Sequence, residues 1–187
     1  MGMYRRITPA VFGVDLSDAM VTLALRYGPT VQGDIQHLPL KNNSVDYVFS
    51  HVVISHVPNS NLALAECARV TRPGGRLVVV VPNRLSFLAP ARFVLIGLGK
   101  YSLGSTRHFT VSMLRDEGRR HGLSTQQVHV IPKTPTALTA GRRFITWLAY
   151  CLDQGVHRLY PLWGGDLAIL FEKTGEPNRG RSGAVPH

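Results

Sequence analysis

Four places in this chain set a polar group with binding or catalytic chemistry at the end of an apolar run. Asp15 follows Val11–Val14, Asp34 follows Thr30–Gly33, Ser50 and His51 close Val45–Ser50, and Pro82-Asn83 follow Arg76–Val81. In open α/β sheets ligands bind beyond the carboxyl ends of the strands, so each group stands where a ligand would lie. A carboxylate at a strand tip can accept two hydrogen bonds from a ribose diol, the chemistry open to Asp15. Asp34 can accept from an adenine amino group while the Ile35 backbone N–H faces the ring. His51, and His56 just beyond it, are imidazoles; each serves as a base only where a hydroxyl acceptor must lose a proton. Each residue alone also has a plain reading: a helix-capping acid for Asp15, a similar structural acid for Asp34, and orienting or structural histidines. The ordered set favours a ligand site.

The elements that must carry these groups follow from local pattern. Val11–Val14 reads as a short buried-type strand, and a helix from Leu16-Ser17-Asp18 to about Tyr27 follows, capped by Ser17 or Asp18 and stopped by Gly28-Pro29. Thr30–Gly33 is a second strand, His37–Asn43 a loop, and Val45–Ser50 a third strand, apolar enough to be buried on both faces. Asn59–Val70 is a helix capped by Asn59 or Ser60, Arg72–Gly75 a tight turn, and Arg76–Val81 a strand. Further on, Ser112–His121 reads as a helix closed by Gly122. Gln126–Ile131 is a strand, Phe144–Tyr160 a helix and Leu167–Glu172 a last strand. This order predicts an α/β fold with an open, mostly parallel sheet and flanking helices. One domain over 1–174 is expected, with 175–187 a disordered Gly/Pro/Arg-rich tail.

Composition narrows the function classes. Hydrophobic content of 44% with 17% charge is that of a globular domain. Lys+Arg 21 against Asp+Glu 11 gives a net charge of +10. The arginines are scattered, with no run longer than a pair (Arg5-Arg6, Arg119-Arg120, Arg142-Arg143), and aromatics do not interleave with them. That pattern favours general surface charge over a nucleic-acid face. Cys67 and Cys151 fit neither a disulfide framework nor a metal site and suit a reducing cytoplasm. The stretch MGMYRRITPA lacks the apolar core of a signal peptide. The Leu85–Leu98 segment is interrupted by Pro90 and Arg92 and is too short to span a bilayer. It reads first as a lid helix on the core, and second as a cover for a lipophilic acceptor or a peripheral membrane contact.

The runs VFGVDLS, GDIQHLPLKNNSVDYVFSHVVISHV and ARVTRPGGRLVVVVPN, with RHFTVSMLRDEGRRHGL after them, resemble class I S-adenosylmethionine (SAM)-dependent methyltransferases. The likeness is to the small-molecule, ubiquinone- and menaquinone-biosynthesis-like branch and covers about Val11 to Val130. It implies a Rossmann-like sheet, SAM as cofactor, and methyl transfer to an oxygen or carbon of a small, apolar acceptor. It also implies site roles: Asp15 on the SAM ribose with Leu16 beside the adenine, and Asp34 and Ile35 on the adenine. Ser50 and His51 would line the methionine end and the acceptor, and His56 matches a histidine often found at that point.

The resemblance has one specific gap. The family's first, central strand and its glycine-rich loop, which holds the methionine part of SAM, find no counterpart before Val11, because a βαβ unit needs roughly 30 residues. The chain is therefore expected to be truncated at its N-terminus relative to the family. The strands equivalent to Val11–Val14 and Val45–Ser50 must then close up, accept another segment or partner chain between them, or leave a weakly held fold. A catalytically silent, partner-binding domain is the alternative function.

Overall fold

The computed structural model describes residues 10–86, 106–131 and 164–175. The expected Phe144–Tyr160 helix, the tail, and nearly all of the Leu85–Leu98 segment lie outside them. In chain order the elements are β1 (Gly13–Asp15), α1 (Asp18–Ala24), β2 (Thr30–Gln32), β3 (Val45–His51), α2 (Ser60–Val70), β4 (Thr71–Pro82), α3 (Val111–Arg120), β5 (Leu123–Ile131) and β6 (Asp166–Lys173).

The strands form two separate sheets. β1 and β2 pair in parallel, and β3-β4-β6-β5 make a four-stranded sheet in which β3 and β4 are parallel. β6 runs antiparallel to both β4 and β5. The α/β class with mostly parallel strands is thus realised, with one reversed strand that local pattern does not reveal. Of the three outcomes open for β1 and β3, closing up is not the one adopted: neither strand pairs with the other.

The helices start where side chains can take up free backbone donors. Ser17 Oγ accepts from Met20 N–H, Asn59 Oδ1 from Leu62 N–H, and Thr110 Oγ1 from Met113 N–H. α1 stops at Ala24, short of Tyr27, because Tyr27 and Gly28 N–H both turn back onto the Ala24 carbonyl ahead of Pro29. Gly122, at φ 71, reverses the chain after α3. β5 therefore begins directly at Leu123, ahead of the expected Gln126.

β4 absorbs the expected Arg72–Gly75 turn as an irregularity. Val45 pairs with Thr71 and Tyr47 with Arg76, so the residues between form a bulge with Gly74 at φ 74. Gly75 has no room for a side chain, since a Cβ would lie 2.8 Å from the Arg72 carbonyl oxygen.

The core gathers Leu64, Cys67, Leu77, Val79, Leu114, Ile169 and Phe171 between α2, α3 and the larger sheet. Burial raises the Cys67 thiol to about 12. Only one face of β3 joins this core. Tyr47 and Phe49 point the other way and are 68% and 51% exposed, which corrects the expectation of a strand buried on both faces. The β1–α1–β2 unit is also thinly covered: Val21 is the buried residue of α1, while Phe12, Leu16, Met20 and Tyr27 are exposed.

Candidate active site

Asp15 and Asp34 come together because β1 and β2 are parallel neighbours. Asp15 stands opposite Gln32, and its carbonyl accepts the Gly33 N–H at 3.0 Å, which places Asp34 just past the same edge. Gly33 suits this corner: a Cβ there would meet Pro39 Cδ at 2.9 Å and Val14 Cγ1 at 3.0 Å. Asp15 does not cap α1 directly. Its Oδ1 accepts from Ser17 N–H at 2.9 Å, and Ser17 is the cap. The carboxylate is exposed, with its second oxygen turned to no partner among the described residues. Leu16 is exposed beside it, and its carbonyl is tied to Gln32 Nε2 at 3.1 Å.

Asp34 is half-buried and firmly held. Gln36 N–H donates to Oδ1 at 2.8 Å, and the Gln36 side-chain amide lies 3.2 Å from Oδ2. Ile35 and Leu38, on either side, pack against the main core.

The loop that follows is pinned by α2. Arg69 meets Glu66 through two bonds, Nε to Oε1 at 2.6 Å and Nη2 to Oε2 at 2.8 Å. The same guanidinium donates to the Leu38 and Leu40 carbonyls and to Asn42 Oδ1, while Glu66 accepts the Leu38 N–H at 2.9 Å. The Arg69 hydrogen bond holds the Glu66 carboxyl below the usual range, with burial opposing it. Lys173 completes the clamp from β6, donating to Asn43 Oδ1 and the Thr71 carbonyl.

Ser50 and His51 lie at the tip of β3, in the larger sheet, opposite Val79 and Val80. Alternation along the strand separates their roles. Ser50 turns inward, and its hydroxyl is buried without a hydrogen-bond partner among the described residues, an orphan that needs a reason. His51 turns outward and stacks on Phe49, ring centroids 6.2 Å apart. Val52 then takes φ 64, a left-handed conformation costly for a β-branched residue. It is held from both sides: its N–H reaches the Val80 carbonyl at 2.7 Å, and its carbonyl accepts from Ser55 Oγ at 2.6 Å. His56 sits exposed on the turn this creates.

Pro82-Asn83 serve the fold. Asn83 is buried, with Nδ2 bonded to the Gly164 carbonyl and Oδ1 to Leu85 N–H, so its amide fastens the tip of β4. Sequence reasoning did not reach Gln32, Gln36, Glu66, Arg69 or Val52. The Glu66–Arg69 spacing is a signal that could have shown a pair, as neighbours on one helix face.

Acceptors at adjacent tips of parallel strands stand where open α/β sheets bind their ligands. Residues 2–79 match the family described as a methyltransferase domain. A Mycolicibacterium smegmatis protein described as a probable S-adenosylmethionine-dependent methyltransferase is 39% identical over 85 residues, 44% of this chain and 33% of that protein. The demethylmenaquinone methyltransferase of Staphylococcus aureus is 36% identical over 77 residues, 38% of this chain and 32% of that one. A solved SAM-dependent methyltransferase from Thermotoga maritima superposes with a TM-score of 0.65 at 23% identity, over 92% of this chain and 77% of that one, a likeness of fold. These likenesses support a class I SAM-dependent methyltransferase domain, a family whose cofactor is SAM. The chain spans about a third of the length of these two curated relatives.

The donor set fits the adenosine half of SAM: two carboxylates for hydroxyl and amino donors, and an orphan hydroxyl at the neighbouring sheet's edge. Among the described residues no strand pairs with the free edge of β1 or β3.

Proposed function

We propose that this chain binds SAM through its adenosine and transfers the methyl group to an oxygen or carbon of a small, apolar acceptor. The observation that carries this reading is the meeting of Asp15 and Asp34 at one edge of the β1–β2 pair. In it Asp15 takes the ribose diol with Leu16 alongside, Asp34 and the Ile35 N–H take the adenine, and Ser50 supplies its unpartnered hydroxyl toward the methionine end. Bound SAM supplies an activated methyl group. The chain's own part is then mostly positioning, which accounts for much of the rate in an in-line displacement. His51 and His56 are the bases for an acceptor hydroxyl; His51 stands in an exposed row with Tyr47 and Phe49, a surface suited to an apolar acceptor. The named activity of the demethylmenaquinone methyltransferase relative supports a quinone-like acceptor.

An additional β-segment from a partner chain, seated between β1 and β3, completes the sheet in this reading. Two unpaired parallel edges and the exposed Phe12, Tyr47 and Phe49 support it. Leu85, exposed, begins the segment read first as a lid helix and second as a cover for a lipophilic acceptor or a peripheral membrane contact. Among the described residues no helix is long and apolar enough to cross a membrane. A cytoplasmic site of action is consistent with Cys67, which is free and buried.

Calorimetric titration with SAM tests the reading. Binding tighter than about 100 μM, roughly −5.5 kcal/mol, is expected. A folded protein that shows no binding overturns it and leaves the silent, partner-binding domain.

A further inference from the structure

We propose that Gln36 is a positioning residue that fixes the Asp34 carboxylate as an acceptor for a purine 6-amino group, making the site select amino over oxo purines. The inference rests on the adenosine reading above. Its basis is a bridge that reaches from α2 to the candidate base contact. The Gln36 side-chain oxygen accepts the Asn59 backbone N–H at 3.0 Å. Asn59 is itself locked as the cap of α2 through its bond to Leu62 N–H at 3.1 Å. With its oxygen committed to a donor, the Gln36 amide has one permitted orientation, because a backbone N–H cannot face an NH2 group.

The NH2 group is therefore aimed at Asp34, 3.4 Å from Oδ1 and 3.2 Å from Oδ2. Gln36 N–H holds Oδ1 from the backbone side at 2.8 Å. These bonds fix the plane of the carboxylate and keep it an acceptor with lone pairs left over. A 6-amino group donates into that arrangement. A 6-oxo group presents an oxygen to a carboxylate and leaves both unsatisfied, and a site built around one hydrogen bond rejects the partner that cannot make it. Arg69 and Glu66 hold the next residues of the loop, so Gln36 works against a fixed support on both sides.

The test is titration calorimetry with S-adenosylhomocysteine and S-inosylhomocysteine on the full chain and on two variants. Wild type is expected to prefer the adenosyl ligand by at least about tenfold, one hydrogen bond to a charged group. Gln36→Met loses both ends of the bridge. Gln36→Glu keeps an oxygen for Asn59 N–H but sets a carboxylate against Asp34, so a merely structural role would survive it. Both variants are expected to fall to within about threefold preference, mainly by weaker adenosyl binding, with Gln36→Glu still folded in the absence of urea. If Gln36→Met does not fold, Gln36→Glu carries the test. Full preference retained in Gln36→Glu overturns the inference while leaving the adenosine reading standing. Wild type that binds both ligands equally overturns the placement of the base on Asp34. Wild type that is folded and binds neither overturns both readings.

Discussion

Replacing Arg69 with methionine should cost the fold about 2–3 kcal/mol and loosen the loop that carries Asp34. Methionine keeps the apolar stem and removes every bond of the guanidinium. Those are the two-bond pair with Glu66, the Leu38 and Leu40 carbonyls, and Asn42 Oδ1. A hydrogen bond to a charged group is worth about 1.5–3 kcal/mol, but the Arg69 side chain is 31% exposed, so water replaces part of each. Taking about half of the lower value for each carbonyl gives roughly 1.5 kcal/mol. The helix pair adds roughly 0.5 kcal/mol, and a cation in the last turn of α2 adds roughly 0.3–1 kcal/mol. Urea denaturation near neutral pH measures the difference. Its pH dependence is the sharper test. Glu66 has a carboxyl depressed below its ordinary 4.5, chiefly by the Arg69 bond. Its stabilising contribution is thus complete above that value and lost as pH falls through the lower, folded one. Arg69→Met has less of it to lose, so the gap between the proteins should narrow on acidification below about pH 4.5. A gap under about 0.5 kcal/mol at neutral pH, or one that stays constant into acid, would refute the clamp.

Asp15→Ala should abolish adenosyl binding in the same calorimetric assay, and unchanged affinity would show that the ribose contact is wrongly placed. Gly118→Ala should lower stability by roughly 1 kcal/mol in urea, the middle of a range of about 0–2. A Cβ there lies 2.7 Å from the buried Phe171 ring, and overpacking at about 1–3 kcal/mol outweighs the roughly 1 kcal/mol gain in helix propensity. A stabilising result would mean the ring yields freely. In a Cys151→Ser background, Cys67 should react with iodoacetamide only on unfolding, because its thiol is buried and raised to about 12. Prompt labelling of the folded protein would contradict that core.

What could be read from sequence was whatever depends on neighbours along the chain. Local pattern narrows the caps to Ser17 or Asp18 and to Asn59 or Ser60, because a short polar side chain ahead of an apolar period can take up free N–H groups. Ser17 and Asn59 are the ones used. Asp15 and Asp34 were recognisable because strand ends and acids are both local. The reversed direction of β6 depends on where the chain returns, which no window of residues contains. Val52 at φ 64 was invisible for the opposite reason: valine is the wrong residue to signal such a turn, and the bonds from Val80 and Ser55 impose it. Gln36 looked like any loop amide. Its importance comes from Asn59, which packing brings to it.

The two carboxylates of the site therefore stand on unequal foundations. Asp34 is tied to α2 through Gln36, and its loop through Arg69 and Glu66, so its geometry is set by the main core. Asp15 is carried by a three-residue strand and a seven-residue helix that buries Val21 alone. A helix that short is marginal by itself, and so is a two-stranded sheet. Ordering this corner must draw on free energy from elsewhere, from the ligand or from a segment seated at the free edge of β1. Adenosine affinity should then rise when that edge is paired, with the gain falling on the ribose contact proposed for Asp15. The base contact proposed for Asp34 already has its support.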